Sequence, residues 1–137
     1  MKRWILVVLC LLPVWVQAEE VEVRDAWVRL PPPVADTAAA YLRLINHGGR
    51  ELVLLGVRAN VAGEAMFHGP GMRPLGTVRI PAGGEYRFAP GAAHVMLMKL
   101  KQPLHAGDSV HLVLRRAKGK PIQVELPVRD MRRLERP

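Results

Sequence analysis

Residues 68–98 read HGPGMRPLGTVRIPAGGEYRFAPGAAHVMLM. This stretch decides both the class of fold and where its chemistry lies. Gly69-Pro70-Gly71 and Pro81-Ala82-Gly83-Gly84 are turn signals. The segments between and after them, 77–80, 85–88 and 94–100, read as short strands. The stretch holds two of the five His and three of the six Met of the chain. In a strand, residues i and i+2 project from the same face, so His94 and Met96 stand side by side. A turn at 69–71 folds the chain back so that His68 and Met72 converge. Imidazole and thioether together make a soft, uncharged donor set, which suits Cu(I) far better than Zn²⁺, Mg²⁺ or Ca²⁺. The competing reading is structural. Met is a common core filler, the role assigned here to Met66 and Met98, and a His on an apolar strand is commonly a hydrogen-bonded structural residue.

Working outward, the periodicity is that of strands throughout. Residues 21–24 alternate, and 27–30 read as their continuation until Pro31-Pro32-Pro33 ends any ladder. Further strands are expected at 38–45, before the turn Asn46-His47-Gly48-Gly49, and at 51–58, 64–68, 109–115 and 122–128. In 109–115, Val110, Leu112 and Leu114 alternate with His111, Val113 and Arg115, which turns His111 to solvent. His47 and His105 fall in turn regions. About nine short strands with Gly/Pro turns, and no helical pattern over ten residues, predict an all-β sandwich or barrel.

The N-terminus reads as an address. Lys2 and Arg3 precede an apolar run over 5–16, and Val16-Gln17-Ala18 forms a small-residue cleavage site. The run is shorter than the roughly 20 residues a membrane span needs. Cys10 is preceded by Leu9, where a lipid-attachment site would want a small residue. The domain layout expected is a signal peptide at 1–18, a β-sandwich at 19–128 and a polar basic tail at 129–137. After residue 18 the chain has 119 residues and no cysteine, which is one domain's length. That excludes a disulfide framework and a blue-copper centre, which needs a Cys thiolate. Eighteen basic residues against twelve acidic ones leave a net charge of +6 after residue 18. The basic residues are scattered apart from Arg115, Arg116, Lys118 and Lys120 and the pair Arg132-Arg133, the pattern of a solvated surface. Export argues against a nucleic-acid partner. There is no GxGxxG, P-loop, CxxC or HExxH, and the sequence makes no His/acid pair visible around Ser109, the one serine. Catalysis has no evident seat.

Residues 51–128 resemble the PCu(A)C family of periplasmic copper chaperones. The resemblance rests on Ile-Pro-Ala-Gly-Gly-Glu at 80–85, PGAAHVMLMKLKQPL at 90–104, Ala-Gly-Asp-Ser-Val at 106–110 and Val-Glu-Leu-Pro-Val at 124–128. The family's ligand pattern is His, ten residues, Met, twenty-one residues, His, one residue, Met. Met72, His94 and Met96 match it without adjustment. His68 and Met72 have three residues between them, so about seven residues of the family's hairpin are missing, and Met66 lies on the same strand face as His68. The resemblance implies a cupredoxin-like Greek-key β-sandwich and a Cu(I) site of His68, Met72, His94 and Met96. It also implies delivery to the copper-bearing subunit of a respiratory cytochrome c oxidase, directly or through a thioredoxin-like copper partner. The expected protein is a non-enzymatic, periplasmic monomer with no stable membrane insertion. Two other functions fit the same sequence: a copper-sequestering resistance protein, and a structural β-sandwich with no metal role. Met98 is two residues beyond Met96, about 13 Å from His94 along an extended strand, too far for one ion in a straight strand.

Mass spectrometry of the exported protein is expected to give an N-terminus at Glu19. An intact Met1 in the membrane fraction would contradict the leader reading.

Overall fold

The computed structural model describes residues 20–134, with the side chain of Leu134 excepted. The signal peptide expected at 1–18 and the last three residues of the tail lie outside that range. Ten strands follow in order: β1 (Val21–Arg29), β2 (Ala38–Asn46), β3 (Leu52–Ala59), β4 (Ala62–His68), β5 (Pro74–Leu75), β6 (Val78–Ile80), β7 (Glu85–Phe88), β8 (His94–Leu100), β9 (Ser109–Arg116) and β10 (Ile122–Arg129). One 3₁₀ turn (Pro70–Met72) separates β4 from β5, and a single helical turn, α1 (Met131–Leu134), opens the tail.

The strands run β5-β4-β8-β2-β1-β10-β9-β3-β6, with β7 also paired to β2. The first and last long strands meet in parallel, Val28 beside Val128, and the sheet folds round them into two layers. This is a cupredoxin-like β-sandwich, with ten strands where the sequence suggests about nine. The additional one is β5, whose two residues pair with Phe67 and His68.

Alternation explains the core. Val110 and Leu112 of β9 lie opposite Leu126 and Val124 of β10, and with Leu114 and Val128 all are buried. Leu52, Leu54, Val78 and Ile80 extend this layer, and Ala40, Leu42, Leu44, Phe67, Phe88, Val95 and Leu97 form the opposite one. Phe67 of β4 and Phe88 of β7 stack at a centroid distance of 5.6 Å, although the two strands are not hydrogen-bonded neighbours. Residues one position off this pattern in β4, β8 and β2 point out of the sandwich, and the candidate site lies on that outer face.

Two irregularities shape the face. Between the pairs Leu42–Phe88 and Ala40–Val95, β2 advances two residues while the β7–β8 chain advances seven. Residues 89–93 therefore loop out of the ladder, closed by Ala89 N donating to Ala93 O at 2.9 Å and by Gly91 at φ 77°. A Cβ is disfavoured at that φ, hence glycine. The second is a bulge between Arg24 and Trp27 in β1, with Asp25 at φ 53°. It re-aims the strand so that Trp27 sits against Tyr41 at 4.8 Å.

One buried polar side chain ties the β2 end to the β6–β7 turn. Asn46, 3% exposed, donates from Nδ2 to the carbonyls of Arg50, Ile80 and Pro81 at 2.8, 3.1 and 3.2 Å. Its Oδ1 accepts from Gly48 N at 3.0 Å. Removing it leaves several backbone groups without partners, and unsatisfied buried groups are costly. Asn46→Ala is expected to destabilise the fold by about 2 kcal/mol. The loss should appear as a lower urea midpoint at unchanged m-value.

Candidate metal centre

β4 and β8 run antiparallel with His68 directly opposite His94 and Met66 directly opposite Met96. Directly opposed residues share a face and hold their Cβ atoms about 4.5–5.5 Å apart. The two imidazoles meet edge to face at a centroid distance of 5.5 Å. His68 and His94, far apart in the chain, thus come together on the outer face of the sandwich. The row continues inward across the sheet: Met96 is opposite Ala39 of β2, and Tyr41, on the same face as Ala39, packs on Trp27.

Met72 reaches the site from the turn. Gly69 N donates to Arg73 O at 2.7 Å and closes the loop. Gly71 and Met72 both take positive φ, 74° and 63°. That conformation is unusual for a bulky side chain and marks local strain of the kind found at functional positions. A shallow pocket of about 290 Å³ is lined by Met72, His94 and Met96 together with Tyr41 and Ala92. Three of the four candidate ligands therefore share one cavity, and the fourth, His68, stands against His94.

The two rings differ in environment. His94 Nδ1 lies 3.4 Å from the carbonyl oxygen of Ala92, in the loop that bulges from the β7–β8 chain. With Nδ1–H directed there, Nε2 carries the lone pair, the usual way a backbone carbonyl orients a ligating imidazole. His68 is 7% exposed, and its Nδ1 is buried without a hydrogen-bond partner among the described residues. Burial first, and then the neighbouring His94, hold the His68 ring below the ordinary value of 6.5. A neutral ring with an unpartnered buried nitrogen is a donor in search of an acceptor.

The outer-face donors are imidazoles and thioethers. No group of three or more His, Cys, Asp or Glu side chains occurs among the described residues. The oxygen-rich or nitrogen-rich sets that hard and borderline cations prefer are therefore missing from the described chain, and a soft ion fits this set best. Glu64, the nearest carboxylate along β4, is opposite Met98 and is engaged by Lys99. The other histidines are committed elsewhere: His47 to Glu22 at 2.7 Å, His111 to Glu125 at 2.6 Å, and His105 beside Asp108 at 3.6 Å.

Two readings change. Met66 is not core filler: it is 39% exposed on the outer face and opposes Met96. Met98 is not core filler either: it is half-buried on that same face, two residues beyond Met96 and opposite Glu64. The buried position next to Met66 belongs to Phe67. The inward-pointing Phe67 is the sequence signal that places Met66 outside. Tyr41 and Trp27 carried no such signal, because the bulge that brings them together is a product of the fold.

Comparisons agree with this architecture. The apo PCuAC domain of PmoF1 superposes with a TM-score of 0.75 at 23% identity, covering 84% of this chain and 98% of that one. The Cu(I) form of DR1885 from Deinococcus radiodurans superposes with a TM-score of 0.66 at 31% identity, covering 77% of this chain and 75% of that one. The molecule is thus a PCuAC-type β-sandwich. Residues 21–128 match the family described as "Putative lipoprotein LpqE-like", and the chain belongs to that family. A relative from Leifsonia xyli subsp. xyli, described as "Putative lipoprotein Lxx21020", is 33% identical over 122 residues, 83% of this chain and 72% of that protein.

In the metal-free protein the His68 imidazole is expected to titrate below 6.5, read by NMR of its ring resonances. The unfolded chain takes up that proton more readily. Stability that depends on a neutral His68 is therefore complete above about pH 6.5 and is lost as pH falls through the lowered folded-state value.

Proposed function

We propose that this protein is an exported copper chaperone. It binds one Cu(I) through His94, Met96, Met72 and His68 and passes it to the copper centre of a respiratory cytochrome c oxidase. The recipient is met directly or through a thioredoxin-like copper partner. The observation that carries the reading is the cross-strand pair His68–His94, with its orphan buried ring nitrogen, set beside the thioether of Met96. Support comes from similar folds: the PmoF2 PCuAC domain, described as copper-bound, at 20% identity and a TM-score of 0.74 over 84% of this chain and 97% of that one, and DR1885, described in its Cu(I) form.

The donor set suits carriage. Thioethers bear no charge and no proton at ordinary pH, so they hold Cu(I) without an anionic trap. The imidazoles raise affinity and must be neutral to bind, which weakens the site in acid. Met72, 53% exposed on a strained turn, is accessible to a recipient's ligands. The role is binding and release of the ion, with no substrate turned over.

Export is part of the proposal, with cleavage after Ala18. The family's description as lipoproteins makes Cys10 the competing anchor, since it is the one cysteine in the chain. A lipidated fragment beginning at Cys10 would replace the Glu19 terminus expected above.

Competition titration against a Cu(I) chelator tests the ligand assignment. Met96→Leu and His94→Ala are expected to weaken binding by about a hundredfold or more, His68→Ala and Met72→Leu by about tenfold each. Met98→Leu should leave affinity nearly unchanged. Leu conserves the volume of Met, so the folds should persist. Loss of copper on Met98→Leu with retention on Met96→Leu would refute the assignment. Transfer of the bound copper to an oxidase copper domain separates the chaperone from a sequestering protein, which would retain it.

A further inference from the structure

Four exposed large apolar side chains occur among the described residues: Val34, Leu55, Met66 and Met72. Two of the four are methionines: Met72 shares a cavity with His94, and Met66 lies two residues before His68 on the same face of β4. Met72 belongs to the ligand set already proposed. Met66 does not.

The position of Met66 is fixed by the ladder. It is two residues before His68, so it shares that residue's face, and it opposes Met96, which is two residues after His94. The four side chains therefore occupy the corners of a rectangle: His68 opposite His94, Met66 opposite Met96. The short edges are about 4.5–5.5 Å between Cβ atoms, and the long edges are two strand residues, about 6.6 Å. A thioether on three rotatable bonds spans such a gap readily. The next row along the strands, Glu64 opposite Met98, ends the donor patch, because the Glu64 carboxylate is engaged by Lys99.

Met66 and Met72 approach from different sides. Met72 lies over the pocket that contains His94, Met96 and Tyr41. Met66 stands on β4, which beyond Phe67 and His68 has no hydrogen-bonded strand on its outer side among the described residues. It also borders a groove lined by Leu55, Leu75 and Arg115. An ion held by His94 and Met96 has one exposed thioether on each flank.

Resting on the copper reading, we propose that Met66 is a further Cu(I) ligand, interchangeable with Met72, so that the site has two exposed thioethers for one coordination position. Cu(I) passes between them by ligand exchange: one sulfur bond forms as the other breaks, with no change of oxidation state and no proton moved. The arrangement gives the ion an exit on the β4 side while Met72 is displaced. It also limits the cost of losing either thioether, because the other is already present at high effective concentration.

A double-mutant cycle on Cu(I) affinity tests this, using the wild type, Met66→Leu, Met72→Leu and the double variant. Both positions are substantially exposed, and circular dichroism confirms that the variants fold. The wild type should bind one Cu(I). Met66→Leu alone should cost only a few-fold, Met72→Leu about tenfold, and the double variant more than about a thousandfold, well beyond the product of the singles. In Met72→Leu, the ¹³C-methyl resonance of Met66 should shift on Cu(I) addition. Equal affinities for Met72→Leu and the double variant, with an unmoved Met66 methyl, would overturn the inference while leaving the copper reading intact. A wild type that binds no Cu(I) would overturn the copper reading, and this inference with it.

Discussion

The site depends on one register, that of β4 against β8. Because strand side chains alternate with a period of two, a slip of one residue would move every outer-face residue of one strand to the inside. In the observed register His68 meets His94 and Met66 meets Met96, while Phe67 meets Val95 in the core. The same hydrophobic alternation that buries Phe67, Val95 and Leu97 therefore sets the imidazoles and thioethers together on the other face. Folding and site assembly are a single event here. Misplacing the donors requires exposing Phe67 and Val95, which lie at 1% and 0% exposure. Burying such side chains is worth about 1.5–3 kcal/mol each.

Around that register the chain is locally irregular. The loop at 89–93 sets His94 against the Ala92 carbonyl. The 69–73 turn, with Gly71 and Met72 at positive φ, brings Met72 over the same pocket in place of a longer hairpin. Strain at Met72 and an unpartnered buried nitrogen on His68 both oppose folding of the metal-free protein. The sandwich core tolerates these local costs. In the proposed function, ligand binding would relieve one of them.

Much of this was legible in the sequence. Alternation in 109–115 placed Val110, Leu112 and Leu114 on the buried face where they are observed, and the turn residues at 69–71 and 81–84 marked real turns. His94 and Met96 could be placed on one face because they lie on one strand. The pairing of His68 with His94 could be anticipated only through the family pattern, since register between distant strands is set by the whole sheet. β5 escaped notice because two residues cannot display a period. Met66 was read as filler because its face was known relative to His68 while its exposure and its partner, Met96, were not. The Trp27–Tyr41 pair was hidden for a similar reason: it depends on a one-residue bulge at Asp25.

The central claim is that two imidazoles and neighbouring thioethers of the β4–β8 ladder bind one soft ion. X-ray absorption spectroscopy of the protein loaded with a single equivalent of Cu(I) tests it most directly. The account predicts a Cu(I) edge and a first shell containing both nitrogen and sulfur scatterers. The sulfur contribution should fall in Met96→Leu, and the nitrogen contribution in His94→Ala. A shell of nitrogen and oxygen alone, or one unchanged by both substitutions, would contradict it.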